Sequence, residues 1–365
     1  MTKISARMRA GIIVAASVAL IGFAALLPLL AIDIPGVFPG PSYTPGTLQV
    51  LAYAMLIAAL ALSYHLLFGL AGMLSFGHAL FFAAGAYGLG VVLRNFAPEW
   101  LPPGGAFVAA ILITIVFAII LSAFVGALSL RVTGISFAMV TLAFAQAGSV
   151  LVRRNPGKKT GGEEGLPLDV TRVPDALVGV LQTKNLYWLA LAILVVVYLV
   201  TLWVEKSRAG HVVAAAREND LRVRVLGIRP YGVRLVIFAI AGVLAAIAGM
   251  GFLLLQSGVS PRVATPDFTL SLLVIVVLGG VGYRWGAVLG AIVYTLLDQR
   301  LTALAGSEAV ASLPDILRIP LSQPLFILGT LFILVVLFLP GGIAGIPASV
   351  QAARRNQTVE EKELV

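Results

Sequence analysis

Cysteine is absent, which excludes disulfides, thiolate chemistry and Cys-ligated zinc. Charge is scarce: charged residues are 11% of the chain, against about a quarter in an ordinary soluble domain. No Asp or Glu falls well inside an apolar run, and Asp33 and Asp298 sit at run ends. Proton- or sodium-driven carriers usually place ionisable or coordinating groups in the bundle. Sodium can also be held by carbonyls and hydroxyls, so that class is weakened and not removed. There is no GxxxxGKS/T phosphate loop, so this chain does not hydrolyse ATP through that motif. HExxH and GxSxG are missing as well, leaving no motif for an intramembrane hydrolase.

What is present is apolar. Hydrophobic residues make up 60% of 365 residues and the mean hydropathy is +1.03. Runs of about 20 apolar residues recur, the length that crosses a bilayer core. The expected fold is an all-α polytopic membrane protein. Ten spans are expected, at roughly 11–32, 48–68, 77–93, 105–128, 134–152, 185–204, 234–255, 267–281, 286–304 and 323–343. The basic N-terminus leads into a first run too long for a signal-peptide core, and is read as a retained span. Trp100, Trp188, Trp203 and Trp285 all fall at run ends, where amphipathic rings prefer to lie.

An even span count puts both termini on one side, and the basic residues say which. Lys3, Arg7 and Arg9, then Arg131, Arg208, Arg217, Arg222, Arg224, Arg229, Arg234, Arg284, Arg354 and Arg355, all fall on that side, which is therefore cytoplasmic. The net charge of +9 reflects this pattern and is no nucleic-acid signal. Loop 153–184 opposes the rule, since it is outside by parity yet carries six basic residues beside four acids. The expected layout is one transmembrane permease domain over 1–365. It has a first half at 48–152, an extracytoplasmic loop at 153–184, a cytoplasmic coupling loop at 205–234, a second half at 234–343 and a cytoplasmic tail at 344–365.

Ser207–Arg234 is polar between two long apolar runs. Its pattern predicts one short helix over Val212–Leu226, with Glu218–Arg222 and Asp220–Arg224 at i,i+4 spacing. Gly227 is the expected stop and Pro230 blocks continuation. Val212, Val213, Ala216, Leu221 and Val225 make one modest apolar face. A helix of about 15 residues is marginal alone and needs a surface to dock on. Two readings stand: a solvated loop obeying the charge rule, or a mechanical connector moved by a cytosolic partner. The missing phosphate loop favours the connector.

Gly69–Gly88 and Gly279–Tyr294 each read as an apolar run, a Gly-rich break and a small-residue helix. Paired breaks of this kind point to transporter repeats, here two broken-helix halves. Gly282, Gly286 and Gly290 recur every four residues, as do Ala241, Ala245 and Gly249, which lets helices approach closely. Thr133–Ser136 forms a third break. Helix N-termini at Ser75–His78 and Thr133–Ser136 carry free N–H donors suited to a carboxylate. The candidate translocation path is therefore Ser75, Gly77, His78, Thr133, Gly134 and Ser136. His78 is read either as a packing histidine or as a group that orients the break; His65 and His211 are assigned no role.

Six motifs in order carry a resemblance across nearly the whole chain: Gly69–Tyr87 (GLAGMLSFGHALFFAAGAY), Gly134–Gln146 (GISFAMVTLAFAQ), Thr160–Leu166 (TGGEEGL), Ala215–Ile228 (AARENDLRVRVLGI), Gly279–Ala291 (GGVGYRWGAVLGA) and Leu337–Ile346 (LFLPGGIAGI). With them the chain resembles the permease subunits of branched-chain amino acid ABC importers, the high-affinity Leu/Ile/Val type. The resemblance implies a non-enzymatic subunit of a bacterial inner membrane that moves branched-chain or similar amino acids inward. It implies a sister permease, hence a heterodimer, two cytosolic ATP-binding subunits and an extracytoplasmic solute-binding protein. It implies no cofactor on this chain, since the ATP is used by the partners, and no metal. Ala215, Ala216, Arg217, Glu218, Asn219, Leu226 and Gly227 become the expected ATPase-coupling residues, with Arg217, Glu218 and Asn219 at their centre. Met73, Ser271, Tyr283 and Gly341 depart from the family pattern, in which Gln, Glu, Ser and Arg are common. Ser271 bears on substrate choice, because an acid there would meet an ammonium group. Relatives also move urea, short amides and aromatic acids; an ATP-independent carrier is the reading from another class.

Overall fold

The computed structural model describes residues 21–30, 40–95, 102–305, 323–338 and 341–345. The expected first span falls mostly outside these residues, as do Trp100 and nearly all of the tail. Eleven helices are used below: α1 Pro45–His65, α2 His78–Asn95, α3 Pro103–Ser129, α4 Ile135–Arg154, α5 Thr183–Lys206, α6 Arg208–Glu218, α7 Asp220–Val225, α8 Pro230–Gln256, α9 Pro266–Gly279, α10 Arg284–Ala305 and α11 Pro324–Phe338. Five of them open on proline, whose fixed φ suits a first turn and whose missing N–H costs nothing there.

The protein is an all-α membrane protein. Five of the described helices are long and apolar enough to cross a bilayer. α9 and α10 qualify only as a pair, bent by 117° at the second break. At 14 residues, α9 reaches only about 21 Å, short of a ~30 Å hydrocarbon core. The expected spans 267–281 and 286–304 thus form a sharply bent pair, of which α9 alone is too short to cross. Asp298, expected at a span end, sits inside α10, well before Ala305.

Burial separates a central helix from peripheral ones. In α1, extended by a π-helical turn over Leu66–Leu70, 89% of the most apolar window is buried; in α3 the figure is 28%. α1 packs on α5, α8 and α10, and α2 packs on α8. Close approach explains several of the small residues. Gly85 faces the Ala246 carbonyl and Gly249 the Phe82 carbonyl, so α2 and α8 cross backbone to backbone. Gly286 and Gly290 do the same between α10 and α9, where a Cβ on Gly286 would lie 2.7 Å from the Gly279 carbonyl oxygen. Gly282 is different: at φ +99 with open space around it, it serves the turn and not the packing.

Loop 153–184 is a series of short 3-10 turns, tied down by Leu166–Pro167 pairing antiparallel with Gly258–Val259. Gly161, Gly162 and Gly165 adopt φ +78, +64 and +88, which accounts for the three glycines of the TGGEEGL motif. α5 and α8 both run from the 207–229 segment to this bridge, so the bridge and that segment lie at opposite ends of the bundle.

Candidate functional site: the connector and the cavity beside it

The 207–229 segment is two helices, not the single one expected. Ser207 caps α6, its hydroxyl accepting from the Gly210 N–H at 3.1 Å. Asn219, in extended conformation (φ −155, ψ 100), ends α6 and caps α7, accepting from the Arg222 N–H at 3.0 Å. A short polar side chain that hydrogen-bonds its own backbone competes with continued helix, and here it wins. The break removes the Glu218–Arg222 pair; Asp220–Arg224 forms at 2.7 Å. α7 ends at Gly227 (φ +81), with Gly227 N–H to Arg224 and Ile228 N–H to Val223 carbonyls, the two bonds of a Schellman stop.

The apolar residues divide between two faces. Val213, Ala216 and Val223 are buried against the bundle, whereas Leu221 and Val225, expected on that face, are 71% and 79% exposed. With Leu226 at 77% they leave a bare apolar patch on α7.

Arg217 links α6 to the first break. Its Nη1 donates to the Gly69 carbonyl at the end of the π-helical turn, and its stem lies over Gly72. Gly72 has φ +67, and a Cβ there would be 2.7 Å from Arg217 Cγ, so glycine is required twice over. Arg234, which carried only the charge rule in the sequence, joins both helices to α8. It donates to the Ala216 carbonyl at 3.3 Å and lies 3.0 Å from the Asp220 carboxylate.

A cavity of about 660 Å3 opens beside this joint. Its walls come from the first break, the α3–α4 break, the connector and the start of α8, and Arg131, Arg217, Arg224 and Arg234 line it. The candidate path residues divide around it. Thr133 and Gly134 line the cavity; Gly134 stands at φ +64 with nothing within 4 Å of a built Cβ. Ser136 is exposed and is not part of the lining. Ser75, Gly77 and His78 are buried. The first N–H groups there are already taken: Phe76 donates to Thr141 Oγ1 at 3.1 Å, Gly77 to Ser75 Oγ at 3.3 Å and Ala79 to Thr269 Oγ1 at 3.0 Å. His78 Nε2 is 2.8 Å from Ser63 Oγ, and its ring sits between Tyr64 and Phe81. Its Nδ1 is buried with no hydrogen-bond partner among the described residues.

A family model described as branched-chain amino acid transport system / permease component matches residues 46–340. The chain belongs to this permease family. The high-affinity branched-chain amino acid transport system permease protein LivM of Escherichia coli K12 is 28% identical over 272 residues, covering 68% of this chain and 61% of the relative. The probable LivM of Methanocaldococcus jannaschii is 26% identical and covers 81% of this chain and 92% of that protein. The autoinducer 2 import system permease LsrC of Yersinia enterocolitica is 31% identical over 153 residues, about 40% of each chain. The match spans about three fifths of the length of the Escherichia coli and Salmonella LivM proteins. No solved structure matches. Family members are membrane transport subunits and not enzymes.

Proposed function

We propose that this chain is the membrane-spanning permease subunit of an ATP-driven importer that carries branched-chain or similar amino acids inward. One observation bears most of the weight: Arg217, on the polar connector, reaches the carbonyl of Gly69 at a broken helix facing the cavity. A cytosolic partner that pushes the connector would thereby move the cavity wall. The bare patch of Leu221, Val225 and Leu226 is the surface such a partner would cover. Ala215, Ala216, Arg217, Glu218, Asn219, Leu226 and Gly227 form the coupling segment, and Thr133 and Gly134 stand at the mouth of the path. The partners are a sister permease, two cytosolic ATP-binding subunits and an extracytoplasmic binding protein; ATP is used by those subunits and this chain holds no cofactor.

In the membrane, ten segments in two broken-helix halves place both termini in the cytoplasm of an inner membrane. The distribution of Arg and Lys supports that side, and the bridge at 166–167 and 258–259 supports loop 153–184 lying opposite the connector. Ser271 supports a second reading of the substrate. It is neutral and spends its hydroxyl on the Asp267 carbonyl at 3.1 Å, leaving no acid there for an ammonium group. Urea, a short amide or an aromatic acid would need none.

The test is reconstitution with the binding protein and both ATP-binding subunits. ATP hydrolysis stimulated by leucine, isoleucine or valine supports the first reading; stimulation by amides alone supports the second. Uptake that proceeds without ATP-binding subunits would make the protein a secondary carrier and end both.

A further inference from the structure

Arg217 holds the far end of α6, but the near end is held as firmly. α5 closes on Glu205 and Lys206 and passes directly into Ser207, the cap of α6. The Glu205 side chain is only 19% exposed and reaches across the bundle in two directions. One carboxylate oxygen is 3.0 Å from His65 Nε2 and the other 3.1 Å from Arg284 Nε. His65 is the last residue of α1 before its π-helical turn, a distortion often found at functional sites. Arg284 is the first residue of α10, just after the second break.

The His65 Nδ1 is buried with no hydrogen-bond partner among the described residues and faces Gly69, where a Cβ would overlap the ring. Gly69 in turn gives its carbonyl to Arg217. The contacts therefore run Arg284, Glu205, His65, Gly69, Arg217. The backbone closes the circuit, because a Cβ on Gly210 of α6 would lie 2.9 Å from the Glu205 carbonyl oxygen. Arg284 is braced further by the Tyr198 ring, 5.9 Å away on α5.

A partly buried ion pair adds little net stability over apolar packing, yet it fixes one arrangement and costs heavily when one partner is removed. We propose that Glu205 is a positioning residue that ties the connector to both helix breaks, so that one movement of the connector shifts the two together. The inference rests on the connector reading given above. It concerns how uptake is geared to ATP use, and not whether the subunits bind.

The complete reconstituted complex tests it, with uptake, ATP hydrolysis and assembled complex all measured. Glu205→Gln keeps the shape and an acceptor oxygen but loses the charge. It should assemble and hydrolyse ATP within about twofold of the parent, while uptake per ATP falls at least roughly tenfold, the scale of one lost charge-assisted contact. Arg284→Gln should give the same loss, and the double variant should be no worse than either single, because all three remove one shared interaction. Unchanged uptake per ATP in Glu205→Gln would overturn the proposal. So would uptake and hydrolysis falling equally per assembled complex, since Glu205 would then not gear one to the other. If Glu205→Gln does not assemble, Arg284→Lys, which keeps the charge but loses the Nε contact, reads the same ratio. Leu221→Asp with Val225→Asp separates this inference from the reading beneath it. If that pair loses the ATP-binding subunits while Glu205→Gln stays fully geared, only the role of Glu205 is wrong. If it keeps them, the connector reading itself fails.

Discussion

α6 and α7 are joined by a single residue, yet the bundle covers one and leaves the other bare. α6 buries Val213 and Ala216 and sends Arg217 into the first break. α7 buries only Val223 and turns Leu221 and Val225 outward. Val223 stands two residues from both Leu221 and Val225, about 200° round the helix, so burying the one turns the other two outward. The segment thereby has two faces, one packed on the bundle and one bare.

The largest expected effect comes from the outward face. Leu221→Asp with Val225→Asp removes two apolar anchors at about 1.5 kcal/mol or more each. Roughly a hundredfold should be lost in the affinity of the ATP-binding subunits, since about 1.4 kcal/mol is tenfold. Co-purification checks it, with membrane insertion unchanged. Next comes the inward face: Arg217→Ala should leave those subunits bound and lower uptake per assembled complex by roughly tenfold or more, as a hydrogen bond from a charged group is worth ~1.5–3 kcal/mol. Equal loss of binding in both variants would erase the distinction between the faces.

Asn219→Ala acts on the joint itself. Loss of a cap costs about 1 kcal/mol, so uptake should fall several-fold with both faces still intact. A cysteine-free parent allows spin labels at Ala215 and Arg222 to read whether α6 and α7 have fused. The smallest effect on transport belongs to His78→Ala. Its contacts are Ser63 and two rings, so complex yield should drop while uptake per assembled complex stays within about twofold, the cost being that of a vacated core site. A severe loss per complex would return His78 to the path.

Much of the local structure was legible. The run 105–128 is α3 at Pro103–Ser129, 234–255 is α8 at Pro230–Gln256, and Gly227 stops α7 as its φ demands. The break at Asn219 was written in the sequence as a capping residue followed by an acid, but the i,i+4 pattern spoke for continuous helix and masked it. Arg234 and Glu205 carried no signal beyond charge at a span end. Ser75, Gly77 and His78 looked like an open helix start because the acceptors of the neighbouring Phe76 and Ala79 N–H groups, Thr141 and Thr269, come from distant helices.

The sequence by itself determined an apolar, cysteine-free helical membrane chain, where its helices begin and stop, and which end carries the basic residues. Those features depend on spacing, proline, glycine and charge, and each acts within a few residues. Only the tertiary structure decided which helix N-terminus is already satisfied, which connector face is covered, and that Glu205 stands between His65 and Arg284. The physical reason is that a polar group is satisfied or left bare by whatever packs against it. In this bundle, partners such as Glu205 for His65 lie 140 residues away along the chain.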